Sequence, residues 1–252
     1  MTRLLVVLAL GLAATTAIAA DCPGHPAALG TARVLTVDPV STPRVGRKHF
    51  PLTLPLAPKE VVLTFDDGPW PVTTPRVLDA LKRECVRATF FLLGRHAAAF
   101  PALARRELAE GHTVAHHTYA HPLLNRMGLP RAIAEIDRGI AAVETALYGK
   151  PRPKPATPFF RFPGFASNVA LLDELQRRGV AVFGADFWAS DWNRMAPVAE
   201  LHLVTRRLTA TGGGIVLFHD TQPATAAMLP AFLRELKRRD YRVVHIVPPA
   251  AR

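Results

Sequence analysis

From about residue 59 onward, short apolar runs alternate with longer stretches of helical periodicity, and no other feature limits the fold as tightly. Candidate strands are 61–65 (VVLTF), 87–92 (RATFFL), 113–117 (TVAHH), 158–161 (PFFR), 180–185 (VAVFGA), 214–218 (GIVLF) and 241–247 (YRVVHIV). Helical stretches lie between them, near 75–84, 98–110, 129–147, 168–178, 197–210 and 224–239. In the third, Ile133, Ile136, Ile140 and Val143 return every three or four residues on one face. Runs such as VVLTF and GIVLF lack the alternation of a half-exposed sheet, so they read as strands buried on both faces. Such strands, separated by helices, pair in parallel with the helices outside. Seven of them suit a barrel one unit short of the eightfold form, or an open doubly wound sheet.

The chain before this alternation divides in two. Residues 1–20 place one arginine before an apolar run and end in small residues, the pattern of a signal peptide cleaved after Ala19 or Ala20. Export is therefore expected, to the periplasm or beyond, with no membrane anchor after cleavage. Residues 21–58 carry Pro23, Pro26, Pro39, Pro43, Pro51, Pro55 and Pro58 without helical periodicity, and read as an extended arm laid over a single domain at 59–249. The two cysteines, Cys22 and Cys85, allow one bridge between arm and body or a buried free thiol, and nothing in the sequence chooses. The formal charge of +11 suits polyanionic surroundings. Nucleic acid is a poor partner, because the chain is expected outside the cytoplasm and no aromatic–basic interleaving marks such a surface.

In parallel α/β proteins the site lies at the carboxyl ends of the strands, and the ionisable residues collect there. Strand 61–65 runs into Asp66, Asp67, Gly68 and Pro69; strand 113–117 ends in His116 and His117, with His121 a turn later. Strand 158–161 ends in Arg161, followed by Pro163 and Gly164; strand 180–185 leads to Asp186, Asp191 and Trp192; strand 214–218 ends at His219 and Asp220. Singly, each has an ordinary explanation: a turn cap, a solvated loop, a surface ion pair, a helix N-cap at Asp220. Together they would all have to hold at one end of one sheet. His117, His121 and one carboxylate form a zinc-type ligand set with room for water. Adjacent aspartates diverge at a strand end, so one can hold metal while the other takes a proton, and His219 could protonate a leaving group.

The same residues carry a resemblance. TFDDGP at 64–69, HTYAH at 117–121, RFPG at 161–164, DFWASDW at 186–192 and LFHD at 217–220 resemble, in order, the motifs of the polysaccharide deacetylases (NodB-homology, carbohydrate esterase family 4). The resemblance spans about 59–248 and implies a distorted (β/α)7 barrel. It implies Asp66 as catalytic base, Asp67, His117 and His121 as ligands of a divalent metal, zinc by preference, and Arg161 as the residue that orients Asp66. His219 would be the general acid, tuned by Asp191; Trp192 and Leu217 would line the acetyl pocket, and the Gly164 N–H would serve the oxyanion. Two departures stand out: four residues separate Asp186 from Asp191 where many members have two, and Gly164 replaces a frequent tyrosine. His116 is extra, and reads as a supporting or solvated residue.

The activity implied is metal-assisted removal of N-acetyl groups from an aminosugar polymer or oligomer of peptidoglycan or chitin type, by a monomeric enzyme. An O-acetyl esterase acting on xylan or another polysaccharide would use the same apparatus. A non-catalytic cell-wall-binding protein is the third alternative, although a binder needs no base, ligand set and acid together.

Overall fold

Ten strands and seven α-helices alternate along residues 22, 25–152 and 154–250, which the computed structural model describes. The expected leader at 1–20 lies outside the described residues. In chain order the elements are β1 (Arg33–Thr36), β2 (Arg44–Val45), β3 (Glu60–Asp66), α1 (Thr74–Arg83), β4 (Thr89–Leu92), α2 (Gly94–Ala99), α3 (Pro101–Ala109), β5 (Thr113–His116), α4 (Leu129–Tyr148), β6 (Phe159–Phe160), α5 (Val169–Arg177), β7 (Ala181–Phe183), β8 (Phe187–Trp188), α6 (Pro197–Thr211), β9 (Gly214–His219), α7 (Pro223–Arg238) and β10 (Arg242–Val247). Every strand pairing is parallel.

β3 is the hub: it pairs with β9 along its length, with β10 at its start and with β4 at its end. From β4 the ladder continues through β5 and β6 to β7. β8 then pairs with β9, so the stretch 181–188 carries the chain from β6 across to β9 and closes the ring. The result is the α/β, distorted seven-unit barrel that the resemblance implied, and not the open doubly wound sheet that the alternation also allowed.

The two faces of β3 show why the strands are apolar throughout. Val61, Leu63 and Phe65 pack outward against α1 and α7 with Leu78, Leu81, Leu229 and Phe232. Val62 points the other way, into an interior shared with Phe91, Phe159, Phe183 and Ile215. By the period of two, Thr64 and Asp66 follow Val62 onto that inner face, which is how a carboxylate comes to sit at the mouth of an apolar interior.

The arm does more than lie over the barrel. β1 adds to β10, pairing Arg33 with Val244 through Thr36 with Val247, and β2 adds to β7, pairing Arg44 with Val182. Strands of four and two residues between prolines carry no period of their own, so the sequence reads only as extended chain. A disulfide joins Cys22 to Cys85, and Arg33 forks onto Glu60 at 2.9 and 2.6 Å. The stretch read as one helix at 98–110 is two: Phe100, before Pro101, takes φ −128° and ψ 55°, since a residue before proline is pushed out of helical conformation.

One buried acid stands apart. Glu107 of α3 is fully buried, and neither carboxylate oxygen accepts a hydrogen bond from the described residues. Burial, reinforced by Asp220, pushes it well above its ordinary value of 4.5. Its folded form therefore stays protonated where the unfolded chain ionises, so wild-type stability is fully present below about pH 4.5 and is lost as pH rises. Glu107→Gln, neutral throughout, should match the wild type in thermal melts near pH 4 and melt increasingly higher than it as pH rises. A difference independent of pH would contradict the buried neutral acid.

Candidate active site

The DDGP segment leaves β3 in a conformation that separates its two aspartates. Asp67 has φ +76°, a left-handed conformation that aspartate tolerates better than most residues, and the Gly68–Pro69 peptide is cis. Asp66 thus remains on the inner face while Asp67 turns toward the histidines. The turn is held from outside: His96 Nδ1 lies 2.6 Å from the Asp67 carbonyl, and Leu93 N–H donates to the Gly68 carbonyl at 3.2 Å. Gly68 is required here because a Cβ would collide with the Asp220 carboxylate.

The histidine loop is clamped in the same way. Thr118 and His121 take φ +67° and +68°, costly for a β-branched threonine. Gly94 N–H donates to the Thr118 carbonyl at 2.9 Å, and a side chain at Gly139 of α4 would collide with the Thr118 backbone. So fixed, the Nε2 atoms of His117 and His121 lie 3.6 and 3.5 Å from Asp67 Oδ1. Those separations are close to the about 3.4 Å expected between ligands of one tetrahedral zinc at 2.0–2.1 Å. Asp67 Oδ1 is buried and accepts no hydrogen bond from the described residues, as a metal-ligand oxygen would. His117 Nδ1 lies 2.7 Å from the Arg161 carbonyl, which leaves Nε2 free to ligate, and burial lowers His117 to about 3, in the neutral form a ligand requires. The three side chains therefore form a group able to hold a divalent cation.

Arg161 lies wholly inside. Its Nη1 donates to Asp66 Oδ1 at 2.7 Å and to Thr64 Oγ1 at 2.8 Å, its Nη2 to the Gly184 carbonyl at 2.9 Å, and its Nε to the Phe183 carbonyl at 3.2 Å. Burial raises the Asp66 carboxyl above its ordinary range while the Arg161 charge opposes the rise. Asp66 Oδ2 stands 3.7 Å from His117 Nε2, beside the ligand set and outside it.

His219 ends β9 in register with Asp66 on β3. Its Nδ1 lies 2.8 Å from Asp191 Oδ1, and its backbone N–H donates to Asp191 Oδ2 at 2.6 Å. Burial alone would lower it, but the Asp191 carboxylate, together with Asp67 and Asp66, outweighs burial and pushes it up to about 9. Sequence reasoning did not reach what lies behind Asp191. The Thr225 hydroxyl sits 2.8 Å from Asp191 Oδ2 and 2.9 Å from Glu200 Oε1. One hydroxyl proton cannot serve both, so Glu200, raised by burial and by Asp191 to about 7, completes the chain as the neutral acid. Thr225 and Glu200 lie on α7 and α6 without any motif, and no sequence signal singled them out.

Asp66, Asp67, His117, His121, Gly164, Trp192, Leu217 and His219 all line one cleft of about 390 Å³, with Phe162, Phe165, Trp188 and Gln222. Asp186, whose spacing departs from the family pattern, stands elsewhere. Its carboxylate accepts hydrogen bonds from Arg47 N–H, Thr53 Oγ1 and Ile215 N–H at 2.9, 2.7 and 2.8 Å, tying the arm to β9. His116 is fully buried rather than solvated and faces Glu144 of α4 at 3.8 Å. Asp220 caps no helix; α7 starts beyond Gln222, and Asp220 instead takes the Thr74 hydroxyl.

The family model described as polysaccharide deacetylase matches residues 54–183. The peptidoglycan-N-acetylglucosamine deacetylase PgdA of Listeria monocytogenes is 36% identical over 190 residues, covering 75% of this chain; the chain spans only 38% of that protein's length. A chitooligosaccharide deacetylase of Bradyrhizobium is 37% identical over 166 residues, 66% of this chain and 72% of that one. Among solved structures, the Bdellovibrio bacteriovorus peptidoglycan deacetylase Bd3279 superposes with a TM-score of 0.75 at 31% identity, covering 86% of this chain and 58% of that one.

The geometry predicts that zinc titrated calorimetrically into metal-free protein binds with a stoichiometry of one. Asp67→Ala and His117→Ala should weaken binding at least about 100-fold, while Asp66→Asn should leave the stoichiometry intact. Loss of binding in Asp66→Asn equal to that in Asp67→Ala would contradict the division of the two aspartates.

Proposed function

Since the chain belongs to the polysaccharide deacetylase family, we propose that it is a metal-dependent hydrolase that removes N-linked acetyl groups from an aminosugar polymer or oligomer, with Zn²⁺ as its ion. The observation that carries this reading is the convergence in one cleft of a three-residue ligand set, a buried carboxylate outside that set and a carboxylate-backed imidazole.

Asp67, His117 and His121 would hold the ion. When bound, the ion supplies Lewis acidity, drawing electron density from the amide carbonyl and from water. Asp66 takes the proton of the attacking water, and the Arg161 guanidinium at 2.7 Å holds that carboxylate in place and favours its charged form against burial. The Gly164 N–H serves the developing oxyanion, and Trp192 and Leu217 enclose the acetyl methyl. His219 Nε2 gives its proton to the departing amine while Asp191 holds Nδ1, so that acetate and a free amino sugar leave. Names of relatives point to both peptidoglycan and chitin-type glycans. Export fits the sequence of residues 1–20 and the Cys22–Cys85 disulfide, which persists in oxidising compartments. No helix among the described residues is long and apolar enough to cross a membrane.

Two measurements test the reading. Asp66→Asn should lower kcat about 10²- to 10⁴-fold, the usual worth of a general base; retention of most activity would remove Asp66 from that role. Acetate release compared on N-acetylated aminosugar oligomers and on acetylated xylan should favour the amide. Release from xylan alone would make the protein an O-acetyl esterase, and zinc binding without release from either would make it a binding protein.

A further inference from the structure

The arm turn at Gly46–Phe50 packs against Phe165 and Trp188, two residues that line the cleft. Gly46 has φ +112°, and a Cβ there would come within 2.5 Å of the Gly184 backbone, so turn and barrel meet backbone to backbone. Arg47 N–H donates to Asp186 Oδ1 at 2.9 Å and Lys48 N–H to the Ala185 carbonyl at 3.0 Å. The His49 ring stacks on Phe165 with centroids 3.7 Å apart, and the Lys48 ammonium stands over the Trp188 ring, 5.6 Å from its centroid. Phe165 and Trp188 both line the cleft, and Trp188 continues to Trp192 at 6.0 Å.

This aromatic wall offers faces to sugar rings, and its charge comes from the arm. Partial burial, with the Arg161 and Lys48 charges, lowers His49 to about 4, so its ring is neutral. Lys48 is exposed and forms no ion pair with the described residues. Asp186, the acid that fastens the turn to the barrel, is consumed by three hydrogen bonds. An exposed, unpaired cation on a backbone-anchored turn, over a tryptophan face beside a sugar cleft, is placed to meet an anionic substituent on the sugar that occupies that face. A neutral N-acetylglucosamine chain has nothing to give it.

We propose that Lys48 is the carboxylate-recognising contact of a subsite on Trp188, so that the preferred substrate is an N-acetylated glycan bearing carboxylate side groups, such as carboxyalkyl ethers or peptide stems. This rests on the deacetylase reading above and narrows its substrate.

The test compares kcat/KM for acetate release from carboxylate-bearing muropeptide glycans and from neutral N-acetylglucosamine oligomers. It also measures binding of both to the Asp66→Asn variant, which does not depend on turnover. In the wild type, the ratio of anionic to neutral kcat/KM should exceed one and fall with added salt. Lys48→Gln should lower the ratio about fivefold or more, through KM, Lys48→Glu further, and Lys48→Arg should restore it. Lys82→Gln, the same loss of charge on α1, should leave the ratio unchanged. The binding ratios should follow the same order. A ratio that Lys48→Gln leaves unchanged, or that Lys82→Gln lowers equally, overturns the subsite. Absence of acetate release from both glycans overturns the activity instead, and the binding ratios then decide the subsite alone.

Discussion

The guanidinium of Arg161 is wholly buried, and a buried charge survives only if its donors are occupied. Asp66 supplies the countercharge, Thr64 and the carbonyls of Phe183 and Gly184 accept the remaining bonds, and the Phe91 ring lies 4.3 Å below the charge. The same residue's backbone carbonyl orients His117. One residue thus joins Asp66 on β3 and the end of β7 through its side chain, and His117 after β5 through its carbonyl. A buried ion pair of this kind adds little net stability compared with an apolar replacement, whereas removing one partner costs about 3–5 kcal/mol. Its value lies in geometry: the Asp66 carboxyl is kept fixed in an apolar interior beside Asp67, His117 and His121, with the Arg161 charge opposing the rise that burial imposes.

That arrangement reaches outward through β7. The Gly184 carbonyl receives Arg161, while the Gly184 N–H donates to Val45 of the arm at 2.7 Å. Two residues on, Asp186 holds Arg47, Thr53 and β9 together. The aspartate that breaks the family spacing therefore acts as the fastening of the arm, and the arm in turn presents Lys48 and His49 beside Trp188 and Phe165. The departure in spacing and the presence of the arm are parts of one structural solution.

The cluster of ionisable residues around the cleft was legible in the sequence because chemistry restricts residue type, whereas the separate roles of Asp66 and Asp67 came from the family resemblance. Only a few side chains can bind metal, take a proton or pair with a buried carboxylate, and several of them collect at or just beyond the strand ends. The barrel was legible for a similar reason, since strands buried on both faces cannot alternate. What escaped is built from residues whose role depends on tertiary approach. Gly94 and Gly139 matter only because loop 118–119 lies against them, and Thr225 and Glu200 only because α6 and α7 bring them behind Asp191. β1 and β2 are too short to show a period, and their partners β10 and β7 are set by tertiary approach. The break at Phe100 was readable from Pro101, but the apolar periodicity on either side of it concealed it.

In the proposed function one cation, held by Asp67, His117 and His121, works together with Asp66 in a single cleft. Titrating metal-free protein with zinc, while following bound metal and acetate release from an N-acetylated glycan in the same samples, tests this. Release should rise in proportion to bound zinc and stop rising at one equivalent. Release that is undiminished without metal, or that begins only with a second equivalent, would contradict it.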